Sequence, residues 1–101
     1  MKQIKTIDIN AKEWFDRING NSYFAGTVTT DYGTTDEKRY VLPFQYGYGS
    51  QYEWEAARLL EEAGVIQNRG VKSPSQFYRD NGIILRRSLV SAKKSELKAI
   101  K

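Results

Sequence analysis

Residues 43–54 read Pro-Phe-Gln-Tyr-Gly-Tyr-Gly-Ser-Gln-Tyr-Glu-Trp, and they force a corner on the chain. Five aromatics and two glycines fall in this stretch, with no basic residue. Pro43 has no N–H to give to a strand ladder, so a strand must lie at an edge there or end. Ser50, with Glu53 three residues on, has the form of a capping box that starts a helix. Gly47 and Gly49 permit positive φ or close approach of another group between the two elements. A strand that feeds a helix through a glycine corner dictates a mixed α and β architecture.

The flanking segments extend this reading. Ser22 to Thr30 is rich in β-branched and aromatic residues and predicts a strand. Asp31 to Asp36 supplies a turn, and Lys38 to Phe44 returns as the second strand of a hairpin. Gly26 inside the first of these strands predicts a bulge or a tightly packed neighbour. Gln3 to Ile9 predicts an earlier strand. Asn10 and Glu13 form a second capping-box pattern, which predicts a helix over Ala11 to Ile18 stopped by Gly20. Ser50 to Ala63 predicts the main helix, with Tyr52, Ala56, Leu59, Leu60 and Ala63 as its apolar stripe. Gly64 with Val65-Ile66 predicts a Schellman-type stop. Ser73-Pro74 opens a short helix to Arg79, and Ile83 to Val90 reads as a last strand. The basic segment 93–101 is expected to be a frayed helix or tail. The expected fold is one α+β domain over residues 1–101. It has a mostly antiparallel sheet of three or four strands, with one long helix and one or two short ones on one face.

Composition excludes much chemistry. The 101 residues include no Cys and no His, which removes thiolate nucleophiles, Ser-His-Asp arrangements and Cys/His zinc sites. Glu53 and Glu55 suit a helix N-terminus, and Glu61 and Glu62 suit a solvated face. A non-enzyme without a cofactor or bound metal is the expectation. No long apolar run is present, so neither a membrane span nor a secretory leader is expected. The lack of cysteine fits a cytoplasmic setting.

Charge is asymmetric. Residues 1–64 carry seven Lys/Arg against ten Asp/Glu, and residues 65–101 carry nine against two. A basic last third points to a polyanion or an acidic protein surface as partner, or only to a solvated end. The aromatics run the other way, eleven of thirteen lying between Trp14 and Trp54. Single-strand binders need both on one surface, so this segregation favours a protein partner over nucleic acid. Tyr46 and Tyr48 are the candidate aromatic anchors, because interface hot spots are rich in Tyr and Trp. Tyr52 is expected to face the core with Ala56, and Tyr46 serves equally as a cover for the hairpin. Arg69, Lys72, Arg79, Arg86 and Arg87 are the candidate basic contacts. Arg86 and Arg87 should point to opposite faces of their strand.

The runs Glu13 to Arg17 (EWFDR), Asn19 to Phe24 (NGNSYF) and Pro43 to Gly49 (PFQYGYG) resemble small uncharacterised proteins encoded in bacteriophage genomes. The resemblance covers the first half of the chain. It implies an accessory protein acting in the bacterial host cytoplasm. Such a protein binds and modulates or inhibits a host macromolecular complex, for example a defence system. The alternative expectation is a nucleic-acid-binding accessory protein that uses the basic C-terminal third.

Overall fold

In the computed structural model, residues 4–67 and 73–100 are described. The elements are β1 (Thr6–Asp16), β2 (Asn21–Thr30), β3 (Lys38–Tyr46), α1 (Gln51–Glu62), α2 (Pro74–Asp80), β4 (Ile84–Ser91) and α3 (Lys94–Lys98). The strands form one four-stranded sheet in the order β3-β2-β1-β4. β1 pairs antiparallel with β2, and β2 antiparallel with β3. β4 lies parallel to β1. The sheet is therefore mixed, with two of its three pairings antiparallel and the third, β1–β4, parallel. The chain leaves the end of β3, crosses one face as α1 and α2, and re-enters at the start of β1, and such a crossover makes the returning strand parallel.

The helix expected over Ala11 to Ile18 does not form, and β1 continues through it. Ile7, Ile9 and Ala11 are buried while Asp8, Asn10 and Lys12 face away. That period-two pattern runs past Asn10 and outweighs the local capping signal. Gly20 lies instead in the tight turn of the β1–β2 hairpin, with φ of 71°.

One face of the sheet carries the main core. Ile7, Ile9, Ala11, Phe24, Val28 and Leu42 pack with Tyr52, Ala56, Ala57 and Leu60 of α1, Tyr78 of α2, and Ile66 and Ile83. Gly26 fits the centre of this sheet only because it lacks a side chain. A Cβ there would stand 2.3 Å from the Asn10 carbonyl oxygen and 2.8 Å from Ala11 Cα. The β2–β3 register also shifts between Phe24 and Gly26, so bulge and close approach coincide. α1 spans twelve residues and ends in the expected Schellman closure. Val65 N–H donates to Leu60 O at 2.9 Å and Gly64 N–H to Glu61 O at 3.0 Å.

The helices do not share one face. α3 packs on β1 and β2 from the side opposite α1, and its Leu97 is buried to 1% exposure outside the main core. The segment expected to fray is thus a docked helix. No helix among the described residues is long and apolar enough to cross a membrane.

Candidate recognition surface

One end of the sheet gathers the aromatic segments. The end of β1, the start of β2 and the end of β3 meet there, since Phe15 lies opposite Ser22 and Tyr46 opposite Tyr23. The β1–β2 turn is held by Asp16. Its carboxylate accepts from Ile18 N–H at 3.0 Å, Asn19 N–H at 3.3 Å and Asn19 Nδ2 at 2.8 Å. The Asn19 side-chain hydrogen bond is the main cause holding this carboxyl below its ordinary value. The turn so fixed presents Ile18 at 93% exposure.

The 43–54 corner is pinned beside it. Gly47 N–H donates to Ser22 O at 2.9 Å, and a Cβ on Gly47 would strike the Phe24 ring at 2.5 Å. Gly49 takes φ of 64°, which turns the backbone into α1. Between them Tyr48 projects at 68% exposure, with Tyr46 at 54% on the adjoining strand end. The Tyr46 ring meets Tyr23 edge-on at 5.9 Å, so it both covers the hairpin and faces solvent. Tyr52 is buried with Ala56, as its spacing predicts. Ser50 makes no side-chain cap bond. The Glu53 carboxylate lies 3.5 Å from the Arg87 guanidinium instead, so the expected capping box is replaced by a tertiary ion pair.

Of the eight large hydrophobics exposed among the described residues, five lie at or close to this end: Phe15, Ile18, Tyr46, Tyr48 and Trp54. A second set of rings is not free. Trp14 stacks on Tyr23 at 5.6 Å and Tyr23 on Phe44 at 5.2 Å. α3 lies over this stack, with Lys94 Nζ 5.3 Å from the Trp14 ring centre and Lys98 Nζ 5.6 Å from that of Phe44. The trio seats α3, and the exposed rings around it are those open to a partner. A cleft of about 530 Å³ opens beside them, lined by Glu13, Trp14, Phe15, Arg17 and Lys93 among others.

The basic candidates scatter. Arg69 and Lys72 lie outside the described residues. Arg79 is exposed in the last turn of α2, which leads into the start of β4 at the far end of the sheet. Arg86 and Arg87 point to opposite faces as expected, and each is held by its own chain. Arg86 Nε lies 2.7 Å from Asp8 Oδ1, and Arg87 pairs with Glu53 and hydrogen-bonds Tyr52. Burial, and secondarily Glu53, raises the Tyr52 hydroxyl above its ordinary value, with Arg87 opposing. The cations that do accompany the exposed rings are Arg17, Lys93, Lys94 and Lys98. The segregation seen along the chain is therefore partly undone by folding, because α3 carries basic charge onto the aromatic end. Sequence reasoning missed Phe15, Ile18 and Arg17 because it placed them on a helix. The unbroken alternation from Ile7 to Lys12 was the available signal. For α3, Leu97 in an otherwise polar segment was a weak one. No protein-family model, curated protein or solved structure matches this chain.

Proposed function

We propose that this chain is a non-catalytic, phage-type accessory protein that binds a host bacterial macromolecular complex, such as a defence system, and modulates or inhibits it in the cytoplasm. The observation that carries this reading is the set of exposed rings around Tyr48 at one end of the sheet. Contiguous exposed apolar surface marks interaction sites. Tyr and Trp are the side chains that most often dominate binding energy. Glycines on both sides of Tyr48 hold it clear of local packing. Arg17, Lys93, Lys94 and Lys98 give the same end a positive rim, so an acidic protein surface is the partner chemistry that fits.

A second reading, nucleic-acid binding, is favoured by the placement of α3 lysines over Trp14 and Phe44. That contact supplies basic charge beside aromatic rings, as single-strand binders require. In those two rings, however, the lysines occupy the faces on which bases would stack. The deciding experiment is capture from bacterial lysate on the immobilised protein, with and without nuclease and at several salt concentrations. The protein reading expects a captured host protein that survives nuclease, with a salt dependence shallower than that of a nucleic-acid complex. Loss of all capture on nuclease treatment, with a steep salt dependence, would transfer the conclusion to nucleic acid.

A further inference from the structure

We infer that the free edge of β4 is a self-association site, across which a second copy of this chain pairs antiparallel about a two-fold axis at Arg87. This goes beyond the recognition end and does not depend on it. The two sheet edges differ. β3 carries Pro43 and a register shift, features that blunt an edge against further pairing. β4 (Ile84–Ser91) has neither Pro nor Gly and keeps an unbroken register with β1. Ile84 N–H donates to Lys5 O at 2.9 Å and Ala92 N–H to Glu13 O at 2.8 Å. In a parallel ladder the alternate residues then face outward. The backbone groups of Leu85, Arg87, Leu89 and Ser91 therefore form a row with no strand beside it among the described residues.

Side chains choose the occupant and the register. Charged residues on an edge ordinarily repel a second copy. Here Arg86 is turned onto Asp8 and Arg87 onto Glu53 of its own chain, so the edge charge is compensated. Ile84 and Val90 are the exposed large hydrophobics of β4, at 61% and 52%, and both lie on the face away from α1. They are placed symmetrically about Arg87. Antiparallel pairing centred on Arg87 sets Ile84 against Val90 of the second copy, twice, and Leu85 against Leu89 on the other face. Arg86 then faces Ser88, and Arg87 faces Arg87 of the second copy at the axis, each of these two with its charge held by its own Glu53.

The absence of cysteine makes the test clean. In this register Ile84 and Val90 of the second copy form a non-hydrogen-bonded pair, whose Cα separation suits a disulfide. Within one chain the two positions are roughly 20 Å apart along the strand, too far to bridge. The double variant Ile84→Cys with Val90→Cys is expected to give an oxidised, covalent dimer on a non-reducing gel, and each single variant much less. The natural protein is expected to sediment at twice its 11.6 kDa chain mass as concentration rises. The exposed-site variant Val90→Lys is expected to sediment as a monomer with an unchanged melting curve. A natural protein that stays monomeric throughout would overturn the proposal. So would a dimer indifferent to Val90→Lys, or single-cysteine variants that cross-link as well as the double one.

Discussion

Replacing Leu97 by Ala tests whether α3 belongs to the folded domain. Leu97 is the one buried residue of α3, at 1% exposure. A helix of five residues has no stability of its own in water, so its position depends on this side chain and on the two lysine–ring contacts. Returning a buried leucine side chain to water costs about 1.5–3 kcal/mol. Core Leu→Ala changes reach about 5 kcal/mol where a cavity persists. That upper range should not be met here, because α3 is joined to the sheet at one end and can lift away instead of leaving a void. The contacts of Lys94 and Lys98 with the rings add about 0.5–1 kcal/mol each at exposed sites, too little to hold α3 without Leu97. The expected loss is therefore about 1.5–3 kcal/mol. At about 4–8 °C of Tm per kcal/mol for a domain near this size, thermal melting followed by circular dichroism resolves it. In a Trp54→Phe background the fluorescence of Trp14 should shift to the red as its ring is uncovered. Amide exchange should quicken in α3 and stay slow in β1 and β2. Deletion of residues 94–101 should match Leu97→Ala. Unchanged Trp14 emission with a stability loss below about half a kcal/mol would refute the docking argument.

Tyr48→Ala should leave stability within about half a kcal/mol and weaken partner binding by about 2 kcal/mol or more; a strongly lowered Tm would return Tyr48 to a packing role. Gly26→Ala should cost about 3 kcal/mol or more in urea denaturation, because the new methyl meets the backbone of Asn10 and Ala11, which cannot rotate away. The Tyr78 hydroxyl is buried without a hydrogen-bond partner among the described residues, and burial raises its pKa. Tyr78→Phe should thus be neutral or stabilising by about 1 kcal/mol, and a clear loss of stability would reveal a partner for that oxygen. Asp16 has a lowered folded-state pKa, so its contribution is present above its ordinary value of 3.8 and is lost as pH falls through the lowered one. Amide exchange at Ile18 and Asn19, mapped against pH, should show that acid loosening, and Asp16→Asn should abolish the pH dependence.

Elements whose signals were local and mutually consistent were legible in the sequence. The β2–β3 hairpin followed from β-branched runs around a turn, α1 from its apolar stripe and glycine stop, and α2 from its Ser73-Pro74 start. Tyr52 inward followed from helix phase, whereas the exposure of Tyr48 was open between a packed corner and a recognition loop until the structure placed it. Where two local signals conflicted, as at Asn10, only the tertiary structure decided: β1 extends because Ala11 and Phe15 gain ladder partners in β2 that no capping bond at Asn10 could replace. The parallel pairing of β4 was equally out of reach, since direction depends on where a long crossover lands. α3 is the sharpest case. Its residues bury too little to form a helix alone, and the seat that holds it is built from Trp14, Tyr23 and Phe44, each on a different strand. The sequence by itself determined an α+β domain with an aromatic, glycine-flanked corner, and only the tertiary structure showed Tyr46 and Tyr48 exposed there. The sheet order decided which cations stand beside that corner, because proximity between residues 15 and 94 is a property of packing and not of spacing along the chain.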